Sequence, residues 1–513
     1  MKEEEKMKKQ KILLTGASGG MGSWGLKELL KDRDKQDIRV LVLDTEADRQ
    51  KMKEYENEEG LTIYWGDLTN YDDVYRCIQG VDMVLHVAAL VSPAADYKPK
   101  LAMKINYGSM KNIIEAIRAQ GRMEEVRVVS IGTIAETGDR MPPIHWGRVG
   151  DPIKPSIYDY YAVSKIAAER LLIESGLKYW VSLRQTGIMG PVMSKVKDAI
   201  MFHNCLDNVL EYVSDRDSGI LLGNLARFYY TGELAEDFWG HVYNIGGGES
   251  CRVDTFTMYQ VLYGAIGFQD LKYVINPKWY ATRNFHGQYY LDSDKLEKYL
   301  HFRHDTMEYF YDAYLKELGM TKTAARVICK LPGGQKLMGN IMKRMFIKEA
   351  RTEHGTVRFI EQNMEEQIDA YWGSKKAWKQ IPENINSFKH FKDWNKVVSI
   401  DHGYDESKPE SELDIEEMKG AARFRGGECK SFDMKKGDWT GKLLFRCAFG
   451  HEFEASPRLV LEGGHWCPEC ERKSWNYGNR AKVDPFFAQV WNPLHEANET
   501  IREYKKEVTE LEI

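Results

Sequence analysis

Tyr161 and Lys165 stand four residues apart, at the head of the run AVSKIAAERLLIES. Its Ala, Leu and Glu content and its apolar spacing predict a helix, so both side chains project from one face. A phenol with an ordinary pKa of about 10 is a poor base at neutral pH, and a neighbouring ammonium would bring it down. The pair therefore suits proton transfer to or from an alcohol or ketone oxygen. Tyr158 and Tyr160 have no lysine four positions on. A second group able to do chemistry lies far downstream: Cys447-Ala-Phe-Gly-His451, fifteen residues, then Cys467-Pro-Glu-Cys470. Three thiolates and one imidazole on two tight turns suit a tetrahedral zinc ion with no open position, hence a structural metal. Cys429 and His465 are near enough in sequence to replace a ligand.

Such side chains need a frame, and the chain supplies one from its start. Lys11 to Gly22, KILLTGASGGMG, reads as a buried strand, a turn with Gly16, Gly19 and Gly22, and the start of a helix. Glycines so spaced let backbone N–H groups approach a pyrophosphate at a helix N-terminus. Arg39 to Asp44 is a second apolar strand, and its terminal acid is placed to bond ribose hydroxyls and to repel a 2′-phosphate, which favours NAD. Arg49 nearby leaves NADP open. Leu61 to Leu68, Asp82 to Ala89 and Val126 to Thr133 are further strands, alternating with helical stretches. That rhythm predicts an α/β fold, a doubly wound parallel sheet with ligands at the carboxyl ends of its strands. Small Ala88 and Ala89 leave room there for a flat ring and phosphates.

Taken in order, Thr15-Gly16-x-x-Gly19-x-x-Gly22, Asp67-Leu68, His86-x-Ala88-Ala89, Asn106 with Gly108 and Asn112, and Tyr161-x-x-x-Lys165 resemble the extended short-chain dehydrogenase/reductase family, also called the NAD-dependent epimerase/dehydratase family. The resemblance covers about residues 10 to 315 and implies a Rossmann-type domain over 1–320, with a small substrate lobe mainly at 185–300. It implies that Asp67, with Leu68, holds the adenine, that Asn106 steadies the active-site helix, and that Lys165 also bonds the nicotinamide ribose. It selects Thr133, five residues ahead of Gly138, to orient the substrate oxygen, with Ser130 as the alternative. It also implies a homodimer paired through Met103–Ala119 and Tyr161–Ser175.

Within the family, dehydratases carry Asp-Glu directly after the catalytic threonine, whereas this chain has Ile134-Ala135. Nucleotide-sugar epimerases carry an asparagine three residues after the arginine of the next strand; here, after Arg184, that position is Gly187. Arg184 to Pro191 is closer to the hydroxysteroid dehydrogenase and flavonoid-type reductase branch. Aromatic residues at Phe228-Tyr229-Tyr230, Phe238-Trp239, Trp279-Tyr280, Phe285-His286 and Tyr289-Tyr290 suit a hydrophobic, ring-bearing small molecule, or else a lobe core. The expected activity is an NAD-dependent oxidoreductase interconverting a secondary alcohol and a ketone. A nucleotide-sugar epimerase and a non-catalytic NAD-binding scaffold are the alternatives.

A net charge of −5 carries no footprint of nucleic-acid binding. The amino-terminal MKEEEKMKKQ has no apolar segment of a secretion signal, and eight scattered or clustered cysteines suit a reducing cytoplasm. Beyond the resemblance, 321–420 reads as a helical extension and linker, and 421–513 as an α+β module containing a zinc ribbon and a terminal helix. Lys322 to Arg351 reads as a basic amphipathic helix, either a solvated face or a contact with a partner or membrane surface. The polar, acidic stretch from Asp405 to Glu417 reads as an exposed linker.

Overall fold

The computed structural model describes residues 9–191 and 197–510; the charged residues 1–8 lie outside them. Seven parallel strands form the central sheet. They are β1 (Gln10–Thr15), β2 (Gln36–Val42), β3 (Leu61–Trp65), β4 (Met83–His86), β5 (Arg127–Thr133), β6 (Tyr179–Gln185) and β7 (His241–Ile245), in the spatial order β7-β6-β5-β4-β1-β2-β3. The chain leaves β1 toward β2 on one side and returns to β4 on the other, so a crevice opens between their carboxyl ends. Thr15 lies opposite His86, and His86 opposite Ser130, which aligns the strand ends that carry the motifs.

Strand residues alternate between two buried layers, as a parallel sheet covered on both sides requires. Leu13, Val84 and Val128 face helices α2 (Pro99–Ala119) and α3 (Tyr160–Ile173). Ile12, Leu14 and Val129 face α1 (Gly20–Leu29) and α4 (Asp215–Thr231). The aromatic residues expected to line a substrate site mostly fill cores instead: Phe238 and Trp239 pack under the sheet edge, and Tyr280 and Tyr290 in the substrate lobe. Of those pairs, Phe285-His286 reaches a cavity wall.

The carboxyl-terminal third is not set apart by a gap in the core. Leu413, Met418, Phe445, Phe453, Leu459 and Trp466 share one apolar cluster with Leu172 and Ile173 of α3. The expected single basic helix is broken at Pro332-Gly333 into α5 (Gly319–Lys330) and α6 (Gly334–Glu349), since proline can neither donate nor fit inside a helix. The acidic stretch is exposed from Asp405 to Glu412, but Asp414 and Glu417 then cap a helix, Ile415–Phe424. Strands β8 (Leu443–Arg446) and β9 (Glu452–Ala455) form a hairpin. The apolar run after β9 coils into a helical turn, Arg458–Glu462, because Pro457 cannot continue a strand ladder.

Candidate active site and metal centre

Thr133 ends β5 and Tyr161 lies in the first turn of α3, with the threonine hydroxyl close enough to the phenol to lower its pKa. Ser130, three residues earlier on the same strand, points to the opposite face, so Thr133 is the hydroxyl at the site. Asp159 caps α3 by accepting from the Ala162 N–H at 2.8 Å, and Asp96 accepts from the Tyr161 N–H at 3.1 Å. Asn106 holds the same turn from α2. Its amide donates to Ser164 Oγ at 2.8 Å, Ser164 Oγ donates to the Tyr161 carbonyl at 2.7 Å, and Asn106 also bonds both backbone groups of Leu90. These bonds tie α2 to the first turn of α3.

Electrostatics modify the expected chemistry of the phenol. Burial pushes Tyr161 above its ordinary pKa, opposed by the Thr133 bond and reinforced by Glu136, Asp159 and Asp96. The protein's own groups therefore hold Tyr161 as a neutral proton donor. Burial pulls the pKa of the Lys165 ammonium down, while Glu136 and Glu169 hold it up. Burial and Glu169 push Glu136 up, and Arg184 and Lys165 oppose them.

Glu136 was not singled out by sequence, yet Thr133-x-x-Glu136 has the spacing of a capping box. Its Oε1 accepts from the Thr133 N–H at 2.9 Å, and Thr133 Oγ1 accepts from the Ala135 N–H at 3.2 Å. Behind it, Arg184 Nε lies 3.1 Å from Glu136 and 3.1 Å from Glu169. The arginine also donates to the Gly463 carbonyl at 2.7 Å. Nothing in the local sequence announces that last contact.

The cofactor crevice fits its expected occupant. Gly16 adopts φ +78°, and a Cβ there would lie 2.8 Å from the Ala88 nitrogen; at Gly22 it would lie 2.0 Å from the Gly16 oxygen. The loop is thus closed against Ala88, and the N-terminus of α1 begins at Gly19 with no capping side chain. Its free N–H donors suit a pyrophosphate. Thr15 Oγ1 accepts from the Val87 and Ala88 N–H groups and bonds His86 Nδ1 at 2.9 Å. Burial, then Lys165, lowers the His86 pKa to about 3, so the ring stays neutral. Asp67 accepts from the Thr69 N–H, while Asn112 donates to the Leu68 carbonyl, fixing the adenine-side loop. Asp44 is exposed and paired with Arg49 at 2.5 Å.

A sequence profile described as the NAD dependent epimerase/dehydratase family matches residues 12–228. Over those residues the chain is similar to this family. The domain is thus an enzyme domain of the NAD-dependent epimerase/dehydratase type. The chain is 27% identical over 304 residues to the 3β-hydroxysteroid dehydrogenase/Δ5→4-isomerase of vaccinia virus (strain Western Reserve), covering 53% of this chain and 82% of that protein. It is 31% identical over 109 residues to the UDP-glucose 4-epimerase of Rickettsia bellii, 20% of this chain and 32% of that one. Among solved structures, a dTDP-glucose 4,6-dehydratase double mutant from Streptomyces venezuelae aligns with TM-score 0.48 and 20% identity, over 61% of this chain and 98% of that one.

A cavity of about 260 Å³ opens at the start of α3, its wall including Tyr160, Asp96, Asp159, His203, His286 and Tyr371 but not Tyr161. His286 lies 3.3 Å from Asp159, and burial and Asp159 raise the Asp96 pKa.

The second candidate site lies below α3. Cys447, His451, Cys467 and Cys470 bring their ligand atoms within 4.8 Å of one another. His451 Nδ1 lies 3.5, 3.6 and 3.4 Å from the three sulfurs, and two of those sulfurs, Cys447 and Cys470, are 3.7 Å apart. A tetrahedron with ordinary zinc bond lengths has S–N edges of about 3.6 Å and S–S edges of about 3.8 Å. Neither spare joins the cluster. Cys429 packs on the apolar core, and His465 Nε2 bonds Glu169 at 3.1 Å.

The expected dimer faces meet a surface already occupied. Arg170 of α3 donates to the Trp466 carbonyl and to Glu471, and Tyr160 Oη accepts from the Glu507 N–H. The chain's own carboxyl-terminal third covers this side of α3.

Proposed function

We propose that the chain is an NAD-dependent oxidoreductase that interconverts a secondary alcohol and a ketone. The observation that carries this reading is the Thr133 hydroxyl at the end of β5 beside the Tyr161 phenol, with Lys165 buried one turn further along α3 and apolar Ile134 and Ala135 where an acid pair for dehydration would stand. Gly16, Gly19 and Gly22 would hold the pyrophosphate, Asp44 the adenosine ribose, Asp67 and Leu68 the adenine side, Ala88 and Ala89 the floor beneath the ring, and Lys165 the nicotinamide ribose. The bound nicotinamide supplies or accepts the hydride.

In the reducing direction Thr133 and Tyr161 bind the substrate carbonyl oxygen, and Tyr161 gives it the phenolic proton. Lys165 stabilises the phenolate that remains until a proton from solvent restores the phenol. The reverse path oxidises the alcohol, with the phenolate taking the hydroxyl proton.

The cavity at the start of α3, walled by Tyr160 next to Tyr161 in sequence, combines carboxylates and imidazoles with Phe285 and Tyr371. We therefore assign a ring-bearing substrate with polar substituents near the reacting carbon, rather than a wholly apolar one. The same polar wall, with the similarity to a UDP-glucose 4-epimerase, favours nucleotide-sugar epimerisation as the second reading. Following NADH absorbance during a screen of cyclic ketones and nucleotide sugars separates the two: net NADH consumption supports the oxidoreductase, and sugar interconversion without it supports the epimerase.

We further propose that Cys447, His451, Cys467 and Cys470 hold one zinc ion whose role is structural, fixing the hairpin and the Gly463–Glu471 segment that abuts α3. If the chain forms a homodimer, it does so through a face other than the covered side of α3.

A further inference from the structure

The helical hairpin α5–α6 is fixed to the substrate lobe on one side only. Cys329 is buried, Met338, Met342 and Phe346 pack against the lobe core, and Lys343 donates to the Lys272 carbonyl at 2.7 Å. The other side is exposed and carries large apolar side chains. Met320, Val327 and Leu331 follow one stripe along α5, and Leu337, Ile341 and Met345 follow one along α6. These six side chains are 47% to 89% exposed, and they make up six of the sixteen exposed large hydrophobic residues described in the protein. Cations surround them. Residues 318–348 contain seven Lys and Arg and no Asp or Glu, in a chain whose net charge is −5. Among the described residues, no ion pair neutralises Lys322, Arg326, Lys330, Lys336, Arg344 or Lys348.

We propose that this face docks on the surface of a membrane rich in anionic headgroups, with the apolar stripes entering the interface and the cations meeting the headgroups. Charge selects this occupant. A two-fold contact between copies would set the same acid-free basic patch against itself, which repels. Single-stranded nucleic acid is gripped by cations together with exposed aromatic rings, and the exposed stripes here are aliphatic. Exposed Leu, Ile, Val and Met ringed by Lys and Arg match an interfacial helix, and neither helix is long and apolar enough to cross a bilayer. The placement also has a consequence for the enzyme domain. Glu353 and His354, just past the end of α6, line the cavity at the start of α3, so the docked face and the cavity wall are one continuous segment. The inference stands independently of which substrate the cavity takes.

Flotation of the full chain with vesicles tests it, using phosphatidylcholine alone and phosphatidylcholine with about one-third phosphatidylglycerol, at about 0.1 M salt. The expected result is binding to the anionic vesicles at least about tenfold tighter than to neutral ones. Each cation at an anionic surface strengthens binding by about fivefold. The double variant Lys336→Glu/Arg344→Glu should therefore weaken it by about 25-fold or more. The triple variant Leu337→Ser/Ile341→Ser/Met345→Ser should bind at least about tenfold more weakly, since it loses the buried apolar area. All five positions are exposed, so both variants should keep the wild-type melting temperature and NADH oxidation in solution. Absence of binding to anionic vesicles would overturn the proposal. So would full binding by the triple variant, or a concentration-dependent dimer, seen by light scattering, that the variants abolish.

Discussion

His465, two residues before Cys467 of the Cys/His cluster, is hydrogen-bonded at 3.1 Å to Glu169, four residues after Lys165. One contact therefore joins the segment carrying that cluster to the helix carrying Tyr161. Arg184, bound to both Glu169 and the Gly463 carbonyl, doubles that junction.

The first expectation concerns the metal. Protein purified without chelator should carry about one zinc per chain by elemental analysis. Stripping it with a strong chelator should lower the melting temperature by more than about 5 °C, because metal binding supplies folding energy. Turnover should fall with it, since Glu169, Arg170 and Arg184 lose the wall they bond. Stripped protein with unchanged melting and turnover would show that the cluster does not support α3.

His465→Ala tests the junction without touching a ligand. It leaves a buried Glu169 oxygen one partner short, which costs about 1–3 kcal/mol of stability by denaturant titration. Zinc content should stay at the wild-type level, and turnover should drop several-fold. Loss of zinc instead would place His465 among the ligands.

Glu136→Gln tests the charge beneath the site. Burial lowers the Lys165 pKa, and Glu136 is the first of the groups that oppose the fall. Removing that carboxylate leaves burial less opposed, so Lys165 loses its proton at lower pH. The alkaline limb of the turnover profile should move to more acidic pH by about one unit, equivalent to about 1.4 kcal/mol. A limb that stays in place would detach Glu136 from Lys165.

Much of this was legible in the sequence, for physical reasons. Glycines 16, 19 and 22 announce themselves because a tight turn against Ala88 excludes a side chain, and Tyr161 and Lys165 because helical spacing puts them on one face. Asn106 was readable through the family resemblance, and its bonds to Leu90 and Ser164 show the role expected of it. Glu136 was readable in principle from its capping-box spacing to Thr133. The Glu169–His465 and Arg184–Gly463 contacts span 296 and 279 positions and depend on tertiary packing, which no local pattern encodes. Aromatic residues misled, because a large ring serves a core and a binding wall equally well, and burial alone tells them apart.

Gly16→Ala tests the cofactor loop. The new Cβ would meet the Ala88 nitrogen at 2.8 Å in a left-handed backbone that alanine resists. A stability loss of about 1–3 kcal/mol is expected, together with at least tenfold weaker NADH binding by fluorescence titration. Binding at wild-type strength would move the pyrophosphate elsewhere.

Tyr161→Phe addresses the central claim most directly. The variant removes one hydroxyl from a half-buried ring and leaves the glycine loop, Asp44 and Lys165 in place. The account requires turnover of a ketone substrate to fall by about 100-fold or more, the loss expected for a positioned proton donor, while NADH titration gives the wild-type affinity. Turnover at the wild-type rate, with NADH bound, would contradict it.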